Sequence, residues 1–328
     1  MAMLELVMIL LVALALVLLL WGFVAVLRRT PHGATGLAGE LAALDRGRRA
    51  EADPGVRWVA RTEAAALAAG LAVAAACAWW GLDGGEHHGL PFFLAAMAGA
   101  LAGLPVIALV PSPRWPQARG GVVVADLTPR GSTSFGRGRT FALPLAAACL
   151  LVVGLAVAGL GSVAGEDGQH RFLRSVVIPL VDGIPVIGEG VTVQTTGPFP
   201  GWFYGVPLMA GTLVLVVGVW WVLRRAARAA RPADEALFGV DTALRVVQTR
   251  FVVSASTSVL LFQVAVVSLM AGLALRNSQG PILALLLIGG AFVAGLAALV
   301  LLCRAGGVVV EGLAVASGDR RGARSVAS

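Results

Sequence analysis

Phe251-Val-Val-Ser-Ala-Ser-Thr-Ser-Val-Leu-Leu-Phe-Gln-Val-Ala-Val-Val-Ser-Leu-Met-Ala-Gly-Leu-Ala-Leu275 runs for twenty-five residues without a charge, and Arg250 and Arg276 bracket it. A helix rises 1.5 Å per residue, so about 20 apolar residues cross the ~30 Å hydrocarbon core of a bilayer. The stretch is apolar on every side, which excludes an amphipathic helix lying on a surface. It reads as a membrane span.

Six further windows of the same kind lie elsewhere in the chain, at 4–27, 62–81, 91–110, 141–163, 202–223 and 282–302. Composition agrees with this reading. Apolar residues make up 58% of the 328 and charged residues 13%, against roughly 45–50% and about 25% in a soluble protein. Mean hydropathy is +0.87. These values exclude a disordered chain, a disulfide scaffold and an ordinary cytosolic enzyme. The fold class expected is therefore an all-α, polytopic integral membrane protein with seven transmembrane helices.

Orientation follows from arginine. All 25 basic residues are Arg. Segment 28–61 holds seven, 111–140 five, 224–250 six and 303–328 four, whereas 82–90 holds none, 164–201 two and 276–281 one. Alternate loops thus hold 22 and 3, and the Arg-rich set is expected in the cytoplasm. That places the N-terminus outside and the C-terminus inside, in the cytoplasmic membrane. The first window is read as a retained anchor and not a cleaved leader, because no basic residue precedes it and Arg28–Arg29 follow it.

The expected organisation is an N-terminal anchor at 1–27, an Arg-rich cytoplasmic segment at 28–61, a six-helix membrane domain at 62–305 and a cytoplasmic tail at 306–328. Within the second part, 40–49 reads as a short amphipathic helix on the inner leaflet. The 111–140 loop, with Pro111, Pro113, Pro116 and Pro129, reads as irregular. In 224–250, Arg224, Arg225, Arg228 and Arg231 extend the fifth span into the headgroups. Pro232 breaks the helix, and a second helix over 234–250 leads into the sixth span. Arginines so placed anchor a helix at anionic lipid of the inner leaflet.

The outer segment 164–201 is too short for a soluble domain with its own core. Its apolar middle, Val176-Val-Ile-Pro-Leu-Val-Asp-Gly-Ile-Pro-Val-Ile-Gly188, reads as an extracytoplasmic lid or as a re-entrant segment. Trp202, Phe203 and Tyr204 mark the outer interface of the fifth span, and Trp220 and Trp221 its inner end. A Gly-Gly-Val-Val-Val string recurs at 120–124 and 306–310. It makes the last six spans read as three hairpins entering from the cytoplasmic side, with chance as the competing account.

Residues that carry chemistry are few. No ionisable group lies near the middle of a span; Glu5 and Glu63 sit at span ends, where water or headgroups reach them. Gln263 is the deepest amide and reads as glue between helices. Small residues at four-residue spacing (Ala66, Gly70, Ala74; Ala95, Gly99, Gly103; Ala291, Gly295) read as packing faces. Cys77, Cys149 and Cys303 are dispersed and match no metal spacing. Asp83 and Glu86-His87-His88 form an outer turn, either solvated or, if distant partners converge, a zinc or copper site. Clustering of Asp167, His170, Asp182, Glu189 and His87 would favour an enzyme. No phosphate-binding Gly-Lys-Ser/Thr loop, Gly-x-Ser-x-Gly elbow, His-Glu-x-x-His or kinase set is present. No catalytic, cofactor-binding or metal residue is therefore assigned. The basic residues flank spans and accompany no aromatic groove, which argues against nucleic acid.

Two stretches, Ala125-Asp-Leu-Thr-Pro-Arg130 and Asp241-Thr-Ala-Leu-Arg245, resemble those of multi-span membrane proteins of high-GC actinobacteria that have no assigned activity. The resemblance covers residues 60–305. It implies a helical membrane fold and carries over no functional residue. The expectation is a non-enzymatic accessory or scaffold subunit of a membrane complex. The alternative is a permease subunit partnered with a separate ATPase docking on loop 224–250.

Overall fold

A computed structural model describes residues 33–82, 88–109, 135, 138–177, 180–181, 184–185, 192–276 and 281–316. The first expected span lies outside them, as do the 120–124 string and most of the 111–140 loop. The architecture is all-α with a small antiparallel sheet. In chain order the helices are α1 (Gly33–Ala43), α2 (Arg46–Leu82), α3 (Leu90–Leu109), α4 (Gly138–Gly161), α5 (Trp202–Arg228), α6 (Phe238–Arg276) and α7 (Pro281–Ala316). The strands, all between α4 and α5, are β1 (Ser162–Ala164), β2 (His170–Val177), β3 (Leu180–Val181), β4 (Ile184–Pro185) and β5 (Thr192–Thr196). Among the described residues, the six helices α2 to α7 are long and apolar enough to cross a membrane.

The expected spans 62–81, 251–275 and 282–302 lie inside longer helices. α2, α6 and α7 have 37, 39 and 36 residues, or about 54–58 Å each. A bilayer core accounts for ~30 Å of that. The surplus lies at one end, and there the three helices and α1 enclose a core of their own. Leu37 and Leu41 of α1 meet Val56 and Val59 of α2 and Val240, Leu244 and Val247 of α6, with Val308 and Val315 of α7 against them. We call this Arg-rich end of the molecule the inner end, the opposite end the outer end, and the assembly the inner bundle; the labels name ends of the molecule and not sides of a membrane.

Two expectations change here. Residues 40–49 are not one short helix. α1 ends at Ala43, and α2 begins at Arg46, with Asp45 accepting a hydrogen bond from the Arg48 N–H at 2.8 Å as an N-cap. The Arg49 guanidinium donates back to the Leu41 carbonyl at 2.6 and 2.9 Å, closing the end of α1. Buried Leu37 and Leu41 point α1 at other helices, not at a leaflet. Residues 306–316, expected as tail, continue α7.

The break at Pro232 is present: α5 stops at Arg228 and a 3-10 turn, Glu235–Leu237, starts α6. Asp234 caps that turn by accepting from the Ala236 N–H at 2.9 Å.

In the membrane portion, α2 with α3 and α6 with α7 form two close hairpins. α4 and α5 form a third, with α5 against α3 and α4 against α6. The small-residue stripes explain the first hairpin. A Cβ on Gly70 would lie 2.9 Å from the Gly99 carbonyl oxygen, and one on Gly103 would lie 2.8 Å from that of Ala66. These backbones touch, which larger residues forbid. Lipid-facing surface remains apolar, as in Leu213, Val214 and Val217 of α5. Trp202 and Trp220 bracket about 27 Å of α5, matching the bilayer core.

The described residues of segment 164–201 form antiparallel strands, a local structure the apolar run did not announce. β1 pairs with β2, and β2 pairs with β5 from Leu173↔Thr196 to Val177↔Thr192, all antiparallel. β3 and β4 form a short hairpin beyond them. Four of the five residues of Thr192-Val-Gln-Thr-Thr196 are β-branched, which favours a strand, and pairing satisfies its backbone groups. Phe199 packs against Ala158 and Ala274, seating the sheet on α4 and α6.

Candidate functional site

Three places combine polar chemistry with access. The first is the 224–250 connection. It is not a free loop: Leu237, Val240, Asp241, Leu244, Arg245 and Val247 are all buried. Arg245 organises it. Its Nε and Nη2 donate to the two Asp241 carboxylate oxygens at 2.9 and 3.1 Å. Its remaining N–H groups reach the Ala226, Ala229 and Ala230 carbonyls. Those carbonyls belong to the end of α5, where helical partners run out. One side chain thus neutralises a buried acid and caps a helix. The stretch Asp241-Thr-Ala-Leu-Arg245 is a structural clamp.

The second place is at the sheet end. Asp167 sits 2.7 Å from Arg171 Nη2 and 3.6 Å from His88 Nε2, and accepts from the Gln169 N–H at 3.1 Å. The Gln169 N–H, the Arg171 guanidinium and His88 hold its carboxyl below the ordinary 3.8. Tyr204 donates to the His88 carbonyl at 2.8 Å, and Phe203 meets the His88 ring edge-on. The cluster joins the α2–α3 turn, the β1–β2 turn and the start of α5. Asp83, Glu86, His87, Asp182 and Glu189 lie outside the described residues. His170 turns its ring nitrogen to the Ser162 carbonyl at 3.3 Å and away from this acid's contacts. Among the described residues no three of His, Cys, Asp and Glu group to hold a metal.

The third place is a cleft of about 740 Å³ between the α2–α3 and α6–α7 hairpins. Small residues make much of its floor: Gly70, Ala74, Gly99, Ala255 and Gly295. Large residues stand at its mouth, where Leu71 is 54% exposed, Phe262 46% and Phe292 72%. It opens sideways, into the region the bilayer fills.

Below the inner end of the cleft stands Glu63. Sequence reasoning placed this acid where water reaches it, but it is 1% exposed, and neither carboxylate oxygen has a hydrogen-bond partner among the described residues. The reason is the length of α7. Ala60 lies beside Gly312, and Ala66 packs with Ala305 and Val309. Glu63 is between those contacts on α2, so the continuation of α7 past residue 302 covers it. A hydropathy window that ends the seventh span at 302 conceals this.

Other polar residues of the sixth span hold helices together. Gln263 is fully buried and donates to the Phe93 carbonyl on α3 at 3.1 Å. Ser258 donates to the Ala298 carbonyl on α7 at 2.7 Å.

No protein-family model, curated protein or solved structure matches the chain. The fold itself defines the class, a multi-pass helical membrane protein.

Proposed function

We propose that the chain is a non-enzymatic accessory or scaffold subunit of a complex in the cytoplasmic membrane, with seven spans, the N-terminus outside and the C-terminus inside. The inner bundle is its partner platform. The observation that carries this reading is that α2, α6 and α7 pass unbroken from the membrane into a bundle with its own core. A membrane anchor alone has no need of a rigid extension. Its exposed surface carries Arg46, Arg48, Arg57 and Arg61, suited to an acidic partner surface or to anionic headgroups. The 22-to-3 arginine asymmetry supports its cytoplasmic side.

The test must leave the fold intact, so deleting 232–246, which would remove core residues, is unsuitable. Reversing Arg46, Arg57 and Arg61 to Glu is expected to release a partner that wild-type protein retains in mild detergent, with the elution profile of the subunit itself unchanged; Arg48 is left in place because it pairs with Asp234 at 3.3 Å. Wild-type protein that purifies alone from cross-linked membranes overturns the scaffold reading.

A permease subunit working with a separate ATPase is the second reading, favoured by the laterally open cleft. It requires the retained partner to be an ATPase.

A further inference from the structure

The continuation of α7 past residue 302 does something a membrane span does not need: it covers a carboxylic acid. We propose that Glu63 is a proton-binding site and that residues 308–316 of α7 form an arm over it. The arm is hinged at Gly306–Gly307, closes over the protonated acid and is released when the proton leaves. This holds whichever partner the inner bundle takes.

Three observations converge. The acid is the first. Glu63 is 1% exposed, and neither of its oxygens has a hydrogen-bond partner among the described residues. A buried charge without a partner is far more costly than a buried neutral group. The closed arrangement therefore suits the carboxylic acid and not the carboxylate.

The cover is the second. Ala305 and Val309 of α7 pack with Ala66, and a Cβ on Gly312 would lie 3.2 Å from that of Ala60. Glu63 stands three residues from Ala60 and three from Ala66, beneath this seam. The arm is not a pillar of the inner bundle. Val308 and Val315 rest on that core as partly buried neighbours, while its buried members come from α1, α2, α6 and the turn before α6. The arm can lift and leave the core standing.

The hinge is the third. Gly306 and Gly307 lie between the span and the arm, and a Cβ at either would meet nothing within 4 Å. Packing does not require glycine there, as it does at Gly70 and Gly99. Glycine weakens a helix interior, and small-residue pairs are where helices bend.

The helices packed against α2 turn apolar residues to the seam. On α7, Arg304 and Glu311 are each one position off the row Ala305, Val309 and Gly312. On α6, Phe251 and Val252 join the cluster of Ala66, with Arg250 one position before them. Arg245 is committed to Asp241 and to the end of α5. α3 holds no titratable residue, and Arg57 and Arg61 of α2 itself are exposed.

Opening is a proton release. The carboxyl O–H bond breaks, the proton passes to water admitted beneath the arm, and the charge stays on Glu63, now hydrated. The closed form holds one proton more than the open form. Opening is therefore favoured as pH rises, by at most about tenfold per pH unit.

Cysteine labelling tests this. In a background with Cys77, Cys149 and Cys303 replaced by Ser, Val309→Cys, under the arm, is compared with Val310→Cys, whose valine is 56% exposed. Both are labelled with a water-soluble maleimide in permeable vesicles. The ratio of the first rate to the second is expected to climb from about pH 6 to about pH 9, by up to about tenfold per unit. In Glu63→Gln, which keeps the size and has no proton to release, it is expected to stay low and flat. A flat ratio with Glu63 present, or an equal climb in Glu63→Gln, overturns the proposal.

Hydrogen exchange of residues 308–316 gives the same decision without a cysteine in the seam. Protection, taken relative to the intrinsic rate at each pH, is expected to fall with rising pH when Glu63 is present and to hold in Glu63→Gln. Constant protection in both, or an equal fall in both, overturns the proposal. Gly306→Ala/Gly307→Ala fits the closed form and stiffens the joint, so the labelling ratio is expected to drop several-fold at every pH. An unchanged or higher ratio overturns the hinge.

Discussion

A buried guanidinium is tolerable only when its charge and its donors are answered, and Arg245 answers both at once. Asp241 takes the charge, and three carbonyls at the end of α5 take the remaining donors. Removing it leaves the buried Asp241 carboxylate to the more distant Arg231, whose Nε lies 4.0 Å away, and uncaps a helix. Arg245→Ala is expected to cost about 3–5 kcal/mol, read as a lowered unfolding midpoint in detergent. Arg245→Lys restores the charge but cannot make the fork, so it should recover only part of the loss. The composition of this clamp was visible in the sequence as Asp241 and Arg245 at helical spacing. Its role was not, because the carbonyls it serves lie 15 to 19 residues earlier. Gln263 was legible as glue, since an amide deep in a span has few other uses. Glu63 was misread, because whether an acid at a span end meets water depends on how far a neighbouring helix continues.

Helices and strands differ in how much of them local sequence fixes. Hydropathy located the six spans of the described chain, since the bilayer imposes one length on all of them. It could not separate a span from its helical continuation in α2, α6 and α7, where the pattern fades but the helix does not. Spacing of small residues named the faces that meet in the α2–α3 hairpin. Gly70, Gly99 and Gly103 leave no room there for a side chain. Gly99→Leu puts a branched side chain where a Cβ alone would lie 2.5 Å from the Gly70 carbonyl oxygen. It is expected to drive the hairpin apart and to reduce the yield of monodisperse protein several-fold, whereas Leu213→Ala on the lipid face should be neutral. The sheet was missed because Pro179 and Pro185 suggested an interrupted apolar stretch, while pairing of β2 with β5 is a contact across a long loop.

Sheet and helices are joined at the outer cluster, and its acid gives a pH dependence of definite sign. The Asp167 carboxyl is held below its ordinary 3.8, so the folded state favours the ionised form. Its contribution is therefore complete above about pH 4 and is lost as pH falls through the lowered value. Protection of the Gln169 amide, taken relative to its intrinsic exchange rate at each pH, is expected at neutral pH and lost on acidification. Asp167→Asn should abolish that dependence, and an unchanged acid transition in this variant would assign it to another group.

At the scale of the whole molecule, the arrangement is three hairpins on an inner bundle, with a sheet at the opposite end. The pairing of spans into hairpins was readable from apolar length and loop lengths. The cleft was not, because it belongs to neither hairpin and arises from how two of them lean together. The inner bundle was not either, since its core draws stretches of one or two turns from four separate helices.

α6 passes through all of this in one piece. It is 39 residues long and contains no proline, the commonest cause of a sharp bend in a helix. Its inner end is gripped by Leu37, Val56 and Val59, and near its outer end the Ala274 carbonyl accepts from Thr196 at 3.4 Å. It is a strut fixed at both ends. A load that tilts the inner bundle reaches the sheet as a displacement of the strut itself, about 51 Å along the helix from Val240 to Ala274. Force and position cross the bilayer through one rigid body, with no relay of side-chain switches between the two faces.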